Sequence, residues 1–363
     1  MGAFGMTPKN CSLGLFSETD ILLLFVCLFF PAYGFSQEPF YKGKTVTMVR
    51  AGPSGDTGDM RVRALIPILQ KYIPGNPTIV PEFMPGGGGR KAVNYIYKVA
   101  RPDGLTIGNV GSGFASSAVL GEPGVQYDID KLIYLGSGNS RTSYVFLSRS
   151  EAGLDTLEKL RTASGVRIGA QSVGHTIYNA GRLFAWLIDL KDPRFVTGYA
   201  GQEIDLALMS GEVDARANIT DSVVERTPDW IEKGRVHFHA LLEIPKGFRL
   251  RHPSFDRLPA LDTFAKTELQ RKVLAMFRNF RLIGSPYILP PSTPKERVEI
   301  LEEAMRKSFK DPEFTASMRK FTGADASPLM PEEQAMAIKE IPRDPLVIDL
   351  YKKLAGSGSL PPR

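Results

Sequence analysis

One unit, written several times over, constrains this chain more than any other feature. A β-branched run enters a loop of small residues, and the loop opens into an amphipathic helix. The first copy is "TVTMV" (45–49), then "RAGPSGDTGD", then "MRVRALIPILQKY". Within that helix Leu65, Ile68, Leu69 and Tyr72 fall at i, i+3, i+4 and i+7, which makes one buried stripe. "GVRIGAQSVGHTIYNAGRLFAWLI" (165–188) repeats the plan, and "DGLTIGNVGSG" (103–113) is a strand ending in a glycine–serine loop. "RFVTGYAGQEIDLALMSGEVDARANI" (194–219) reads strand, loop, helix, a turn at Gly211 and a further strand. The alternation predicts an α/β fold. Open α/β sheets bind ligands beyond the carboxyl ends of their strands. The loops 52–58, 111–113, 171–176 and 200–202 are four such edges, enough to line a cleft between two lobes.

Length and composition set the outer limits. At 363 residues the chain suits two domains. Its N-terminus carries "ILLLFVCLFFPAYGFSQ", whose apolar core from Ile21 to Phe30 is about ten residues long, half of what a membrane span needs. A signal peptide over residues 1–36, cleaved near Ser36/Gln37, fits this pattern; an uncleaved anchor or a displaced start codon is the alternative. Both cysteines, Cys11 and Cys27, lie in the leader, so the exported chain would hold none. That suits an oxidising compartment and removes thiolate metal sites, disulfides and cysteine nucleophiles from consideration. Losing the leader's one Lys and two acids moves the formal net charge from +6 to +7. The basic residues are scattered without interleaved aromatics, which argues against nucleic acid and weakly for small anionic ligands.

Several motifs imitate catalytic or nucleotide sites. "AQSVG" (170–174) resembles a nucleophile elbow around Ser172. A hydrolase would need a histidine base, and the four histidines, 175, 237, 239 and 252, include none in a recognisable triad position. His237 and His239 in "VHFH" share a strand face at metal-binding spacing, but no third ligand lies nearby in sequence. "MPGGGGRK" lacks the Lys-Ser/Thr of a phosphate loop, and "GNVGSG" lacks a properly placed helix and a following acid. His175 stands at a loop–helix junction, where it either donates to a ligand carboxylate or caps the helix at the surface. Trp186 and Trp230 are expected in the core. In "STPKERVEILEEAMRKSF", Thr293 is expected as N-cap, Pro294 as first helical residue, and Glu296 as the partner closing a capping box.

Taken in order, "YKGKTVTMV", the loop with Asp59, "MPGGGGRKAVNYIYKVARPDGLTIGNV", "IGAQSVGHTIYNAGRLF", "VTGYAGQEIDLALMSGEVDARAN" and "LPPSTPKERVEILEEAMRKSFKDPEF" carry a resemblance. Over roughly residues 41–355 the chain resembles the extracytoplasmic solute receptors of tripartite tricarboxylate transporters, the TctC or Bug family. The resemblance implies a type II periplasmic-binding-protein fold, with two α/β lobes and a ligand cleft between them. The first lobe would comprise 37–140 and 243–363, the second 141–242, with crossings near Gly138–Tyr144 and His239–Pro245. It further implies a monomeric, non-enzymatic receptor without cofactor or metal, located in the periplasm. Such a receptor would capture a small organic, carboxylate-containing solute by lobe closure and pass it to membrane permease subunits. An orphan receptor serving a sensor kinase, or a secreted hydrolase using Ser172, are the alternatives.

Carried over by position, one ligand loop is Ser54, Gly55, Asp56, Thr57 and Gly58; the other is Ser172, Val173, Gly174, His175 and Thr176. Flanking contacts would come from Ser112, from Ala200, Gly201 and Gln202, and from Asn218 with Asp221. The family's first loop is commonly neutral and glycine-rich, whereas this one contains Asp56. A carboxylate there would repel an anionic ligand by about 4 kcal/mol at ~4 Å and an effective dielectric near 20. Three resolutions are open: an outward turn residue bonded to its own backbone, neutralisation by Arg50 or His175, or a ligand with a cationic or hydroxyl group. The first is favoured, because Asp in a turn commonly bonds its own backbone.

Overall fold

Ten strands form two five-stranded sheets. The strands are β1 (Thr45–Arg50), β2 (Thr78–Phe83), β3 (Thr106–Asn109), β4 (Ile133–Ser137), β5 (Thr142–Arg149), β6 (Arg167–Gly169), β7 (Arg194–Val196), β8 (Ala215–Ile219), β9 (Val236–Ile244) and β10 (Pro286–Leu289). The first sheet runs β2-β1-β3-β10-β4 and the second β7-β6-β8-β5-β9. In the first sheet β1 pairs parallel with β2 and β3, while β10 is antiparallel to β3 and β4. In the second, β6 pairs parallel with β7 and β8, and β5 is antiparallel to β8 and β9. The two sheets therefore share one plan, in which a single reversed strand fills the fourth place. This computed structural model describes residues 1–3, 5, 38–199 and 202–363. Beyond residues 1–3 and 5, the leader and its cleavage position fall outside the described residues, as do Ala200 and Gly201. Phe40–Arg363 is one compact unit, distinct from Met1–Pro39.

Strand burial follows the sequence pattern. One face of the first sheet (Val46, Met48, Ile107, Leu289) packs on Val62, Leu65 and Leu69 of the helix Thr57–Tyr72. One face of the second sheet (Val145, Leu147, Leu241) packs on Leu208 and Trp230. A third cluster joins the opposite faces, from Val49, Ile96 and Val110 to Phe146, Ile168 and Phe184. Trp186 and Trp230 are both buried, as expected. β9 runs on to Ile244, paired with Thr142 in the second sheet. The next strand, β10, belongs to the first sheet.

Two local expectations need correction. The helix Lys295–Lys310 has Pro294 as its N-cap without a side-chain capping bond, because the Thr293 hydroxyl donates to the Pro290 carbonyl at 2.8 Å. And "GNVGSG" does open directly into a short helix, Gly113–Val119.

The two helices that follow the principal loops are anchored differently. The 57–72 helix is tied at its far end, where Tyr72 and Lys71 reach Asp311 at 2.8 and 3.2 Å. The helix Thr176–Ile188 instead holds the C-terminal tail. Tyr178, Arg182 and Trp186, at i, i+4 and i+8, share one face. They donate to the carbonyls of Gly356 (2.7 Å), Gly358 (2.8 Å) and Pro361 (3.0 Å) respectively. Arg182 also caps the end of the helix Pro345–Ala355 through the Leu354 carbonyl, and Arg363 pairs with Asp189.

Candidate functional site

At the carboxyl edge of the first sheet three polar residues stand in register: Arg50 beside Asn109, and Asn109 beside Tyr287. Strand pleating puts partners in register on one face, here the face covered by the 57–72 helix. The Arg50 guanidinium lies against Gly58 so closely that a Cβ at 58 would stand 1.6 Å from its Nη2. Gly58 is thus required for space, not for backbone conformation. Arg50 is nine-tenths buried and needs a counter-ion. Asp56 supplies it, accepting from Nη2 at 3.1 and 3.0 Å.

Asp56 is also the N-cap of the 57–72 helix and accepts from the Asp59 N–H at 2.7 Å. Two of the open resolutions are therefore combined: the acid bonds its own turn and is neutralised by Arg50. With its side chain 34% exposed, it is not simply a solvated turn residue. Asp59, 2% exposed, stitches the loop from within. It accepts from the Gly55 N–H at 2.8 Å, Arg63 Nε at 3.0 Å and Ser54 Oγ at 3.4 Å. Burial alone would raise its pKa, but these bonds outweigh burial and hold it below the ordinary carboxylate value. Thr57 begins the helix and is exposed.

On the second sheet, His175 is the N-cap of the 176–188 helix; its Nδ1 accepts from the Ile177 N–H at 3.2 Å. Partial burial, then the nearby Arg281 charge, lower its pKa. Gly174 turns the loop at φ +80°, and its carbonyl accepts from Asn179. Ser172 and Val173 are exposed. Among the described residues no histidine bonds the Ser172 hydroxyl, and His175 Nδ1 is already committed to the helix. The elbow reading therefore lacks its base. His239, the other strand histidine of "VHFH", bonds Ser148 Oγ at 2.8 Å. Among the described residues no group of three metal-ligating side chains comes together.

Arg281 was not foreseen, and it joins the two halves. It sits in the last turn of the helix Glu268–Leu282. Its Nε donates to Tyr144 Oη at 3.0 Å; its Nη1 donates to Ser112 Oγ at 3.1 Å and reaches Thr176 Oγ1 at 3.5 Å. Ser112 follows β3 of the first sheet, whereas Tyr144 and Thr176 belong to the second. Arg61, one turn beyond Gly58, lies within electrostatic reach of Arg50, Asp56, Arg281 and Tyr287. Its pKa is lowered, first by burial and also by the two like charges, against the opposing influences of Tyr287 and Asp56. Burial likewise raises Tyr287.

Other expected residues lie apart from this junction. Gln202 is exposed at the start of the helix Glu203–Ser210 and makes no side-chain cap. Asn218, at the end of β8, accepts from the Ile219 N–H, and Asp221 accepts from Thr220 at 3.3 Å. Among the described residues no hydrogen bond links these three to Arg281 or to either principal loop. Among the described residues, eight buried polar side-chain atoms have no hydrogen-bond partner; Ser140 Oγ, Arg149 Nε and Gln334 Oε1 lie elsewhere, whereas Arg50 Nε, Asn109 Oδ1, Gln171 Oε1, Asn179 Oδ1 and Asn218 Nδ2 lie at or beside the strand ends and loops just described. Open cavities of about 470 and 350 Å³ lie elsewhere, one beneath the C-terminal tail at Trp186 and Pro361, the other between Tyr127 and Arg343.

The fold is that of the TctC and Bug solute-binding proteins. A TctC solute-binding protein from Polaromonas superposes with a TM-score of 0.65 at 16% identity, over 86% of this chain and 98% of that one. The periplasmic binding protein BugD gives 0.53 at 20% identity, again over 86% and 98%. MatC from Rhodopseudomonas palustris, solved with bound malate, gives 0.52 at 19% identity over 86% and 99%. No family model matches the sequence, and no curated protein is similar to it. The expected two-sheet α/β architecture is found.

Proposed function

We propose that this chain is a periplasmic solute-binding receptor, a divergent member of the TctC/Bug family. In this reading a first lobe, residues 37–140 with the later β10 and its helices, and a second lobe beginning at 141 enclose one small organic solute. The solute is released to the membrane permease subunits of a tripartite-type transporter. The supporting observation is the Arg281 junction: one side chain bonds Ser112, which follows β3 of the first sheet, Thr176, which follows β6 of the second, and Tyr144 within β5, at the edges where open α/β sheets bind ligands. A solute lodged between these loops would draw hydrogen bonds from both halves and so favour a closed arrangement. The malate in MatC makes small carboxylates the first class to try. The loops 54–58 and 172–176 with Ser112 are the contacts proposed, with Gln202, Asn218 and Asp221 as an outer rim; Gly201 lies outside the described residues.

A thermal-shift screen of the purified protein against organic acids, amides, amino acids and neutral polyols tests the reading. A true ligand at about 100 times its dissociation constant adds ~2.7 kcal/mol of stability. Failure of every solute class to raise the melting temperature would remove the receptor reading.

A further inference from the structure

We infer that residues 356–363 form a positioning strap for the second ligand loop, fastening the helix that starts in that loop to the helix that carries Arg281. The strap itself stands on contacts; its effect on solute affinity rests on the receptor reading. At its root is a buried charge. Arg182 is 1% exposed, and among the described residues it has no carboxylate partner. Its guanidinium donates to neutral acceptors instead: the Tyr178 hydroxyl and the carbonyls of Lys353, Leu354, Gly358 and Ser359. Lys353 and Leu354 belong to the last turn of the Pro345–Ala355 helix, where unpaired carbonyls carry the negative end of the helix dipole. The tail supplies the other two. A buried cation is costly unless its donors are met, so Arg182 draws the helix end and the tail together. Tyr178 and Trp186, one turn to either side, repeat the contact at Gly356 and Pro361, and Arg363 closes on Asp189 just beyond the helix. The 176–188 helix is thereby tied to residues 353–363 from its first turn to its last.

That fastening is felt at the start of the helix. His175 caps it, and Thr176 Oγ1 lies 3.5 Å from Arg281 Nη1. Arg281 rides on the helix Glu268–Leu282, whose Phe280 packs edge-on against Tyr351 of the 345–355 helix, with ring centroids 5.5 Å apart. The three helices meet around a gap of about 10 Å³ lined by Leu183, Val273, Phe277, Tyr351 and Leu354. Packing this dense leaves no room for one helix to slide past the others. The 345–355 helix is thus a common support for the second loop and for Arg281, and the tail holds the loop's helix to it. Without the tail, Arg182 loses half of its carbonyls, and the helix can shift on its sheet, carrying His175 and Thr176 away from Arg281.

Hydrogen exchange on the ligand-free full chain, and on a chain lacking residues 357–363, reads the strap directly. Exchange should quicken at least about tenfold at residues 174–182 and 279–284, and stay within about twofold in the 57–72 helix, which is anchored at Asp311 instead. Isothermal titration with malate and with succinate should show whichever acid binds weakened at least about fivefold in the shortened chain, because a preorganised loop is lost. The order of the two acids should not change. Tyr178→Phe removes one bond to the tail and keeps the ring. It should move both readouts the same way by a smaller factor, and it carries the test if circular dichroism shows the shortened chain unfolded. Exchange quickened equally in the 57–72 helix would mean that the tail only adds stability, and would overturn the inference. Unchanged exchange at 174–182, or affinity unchanged within about twofold, would overturn it as well. If neither acid binds the full chain, that failure falls on the receptor reading, and the exchange pattern by itself upholds or overturns the strap.

Discussion

The loops after β1 and after β6 hold equivalent places in two sheets of the same plan, yet they cap their helices by different chemistry. The first uses a carboxylate, Asp56, and the second a neutral imidazole, His175. The reason lies beneath them. Arg50 is buried under the first helix and requires an anion, so the cap there is also a counter-ion. The guanidinium near the second helix start, Arg281, donates to the hydroxyls of Tyr144, Ser112 and Thr176 and not to the cap, and a neutral acceptor suffices there. Anchoring is reversed as well: the second helix is fastened along its length by Arg182 and the C-terminal tail. Equivalent topology thus fixes where a loop sits and leaves open how its charge is managed.

The comparison breaks most readily at Arg182. Arg182→Met keeps the apolar stem but leaves the buried Leu354 carbonyl unpartnered and releases that of exposed Gly358, at a cost of about 2 kcal/mol. Deleting residues 357–363 should cost a similar amount, and the double change should be no worse than the larger single one, since both remove one network. Denaturant titration checks this; an unchanged midpoint for Arg182→Met would mean the strap is incidental. Next come the two loop glycines. Gly58→Ala drives a methyl into the buried Arg50 guanidinium as well as loosening its pair with Asp56, and overpacking plus the weakened pair should cost on the order of 3 kcal/mol. Gly174→Ala meets nothing within 4 Å and suffers only its φ of +80°, about 1 kcal/mol. Equal costs in thermal melts would show that the two glycines serve one purpose.

Asp56→Asn keeps the capping oxygen and removes the charge. Because the acid is one-third exposed, the loss should be about 1 kcal/mol and shrink in high salt. A larger loss at high salt than at low salt would contradict the ion-pair account. The smallest effect separates the loops by pH. His175 has a folded pKa below the ordinary 6.5, so its unfolded form binds protons first. Stability contributed by the second loop is complete above that value and falls as pH drops through it towards the folded pKa. Asp59 has a folded pKa below 3.8; its contribution persists at mildly acidic pH and is lost only as pH falls below that value. His175→Asn should flatten the melting-temperature profile just below pH 6.5, where Asp59→Asn should leave its shape unchanged.

What the sequence disclosed and what it concealed divide by range. The strand–loop–helix units, the stripe of Leu65, Ile68 and Leu69, and the two-sheet α/β class follow from periodicity and turn chemistry, which act over a few residues. Arg50 as a neutralising partner for Asp56 was legible because six positions separate them. Arg281 was not: its partners Tyr144, Ser112 and Thr176 lie 137, 169 and 105 residues away. The nearest signal was a charged residue in the last turn of "RNFRLIG". The tail "GSGSLPPR" reads as a loose terminus, since carbonyl acceptors belong to every residue alike. Only Arg182, set in the apolar "NAGRLFAWLI", hinted at a buried partner. The capping box at Thr293 failed because a hydroxyl that donates to Pro290 is turned away from the helix.

The reversed strands bear on how such a chain assembles as it is made or exported, N-terminus first. The second sheet draws all its strands from one uninterrupted stretch, 142–244, and can close as soon as that stretch is free. The first sheet keeps a gap between β3 and β4 until residues 286–289 arrive. Until then β3 presents an open edge with Ile107 beside it, the kind of edge that invites pairing with another chain. Long-range pairing of this sort is slow, because the loop must be closed before the contact is made. The first sheet is therefore the one completed last, when the segment beyond residue 244 returns β10 to its place between β3 and β4.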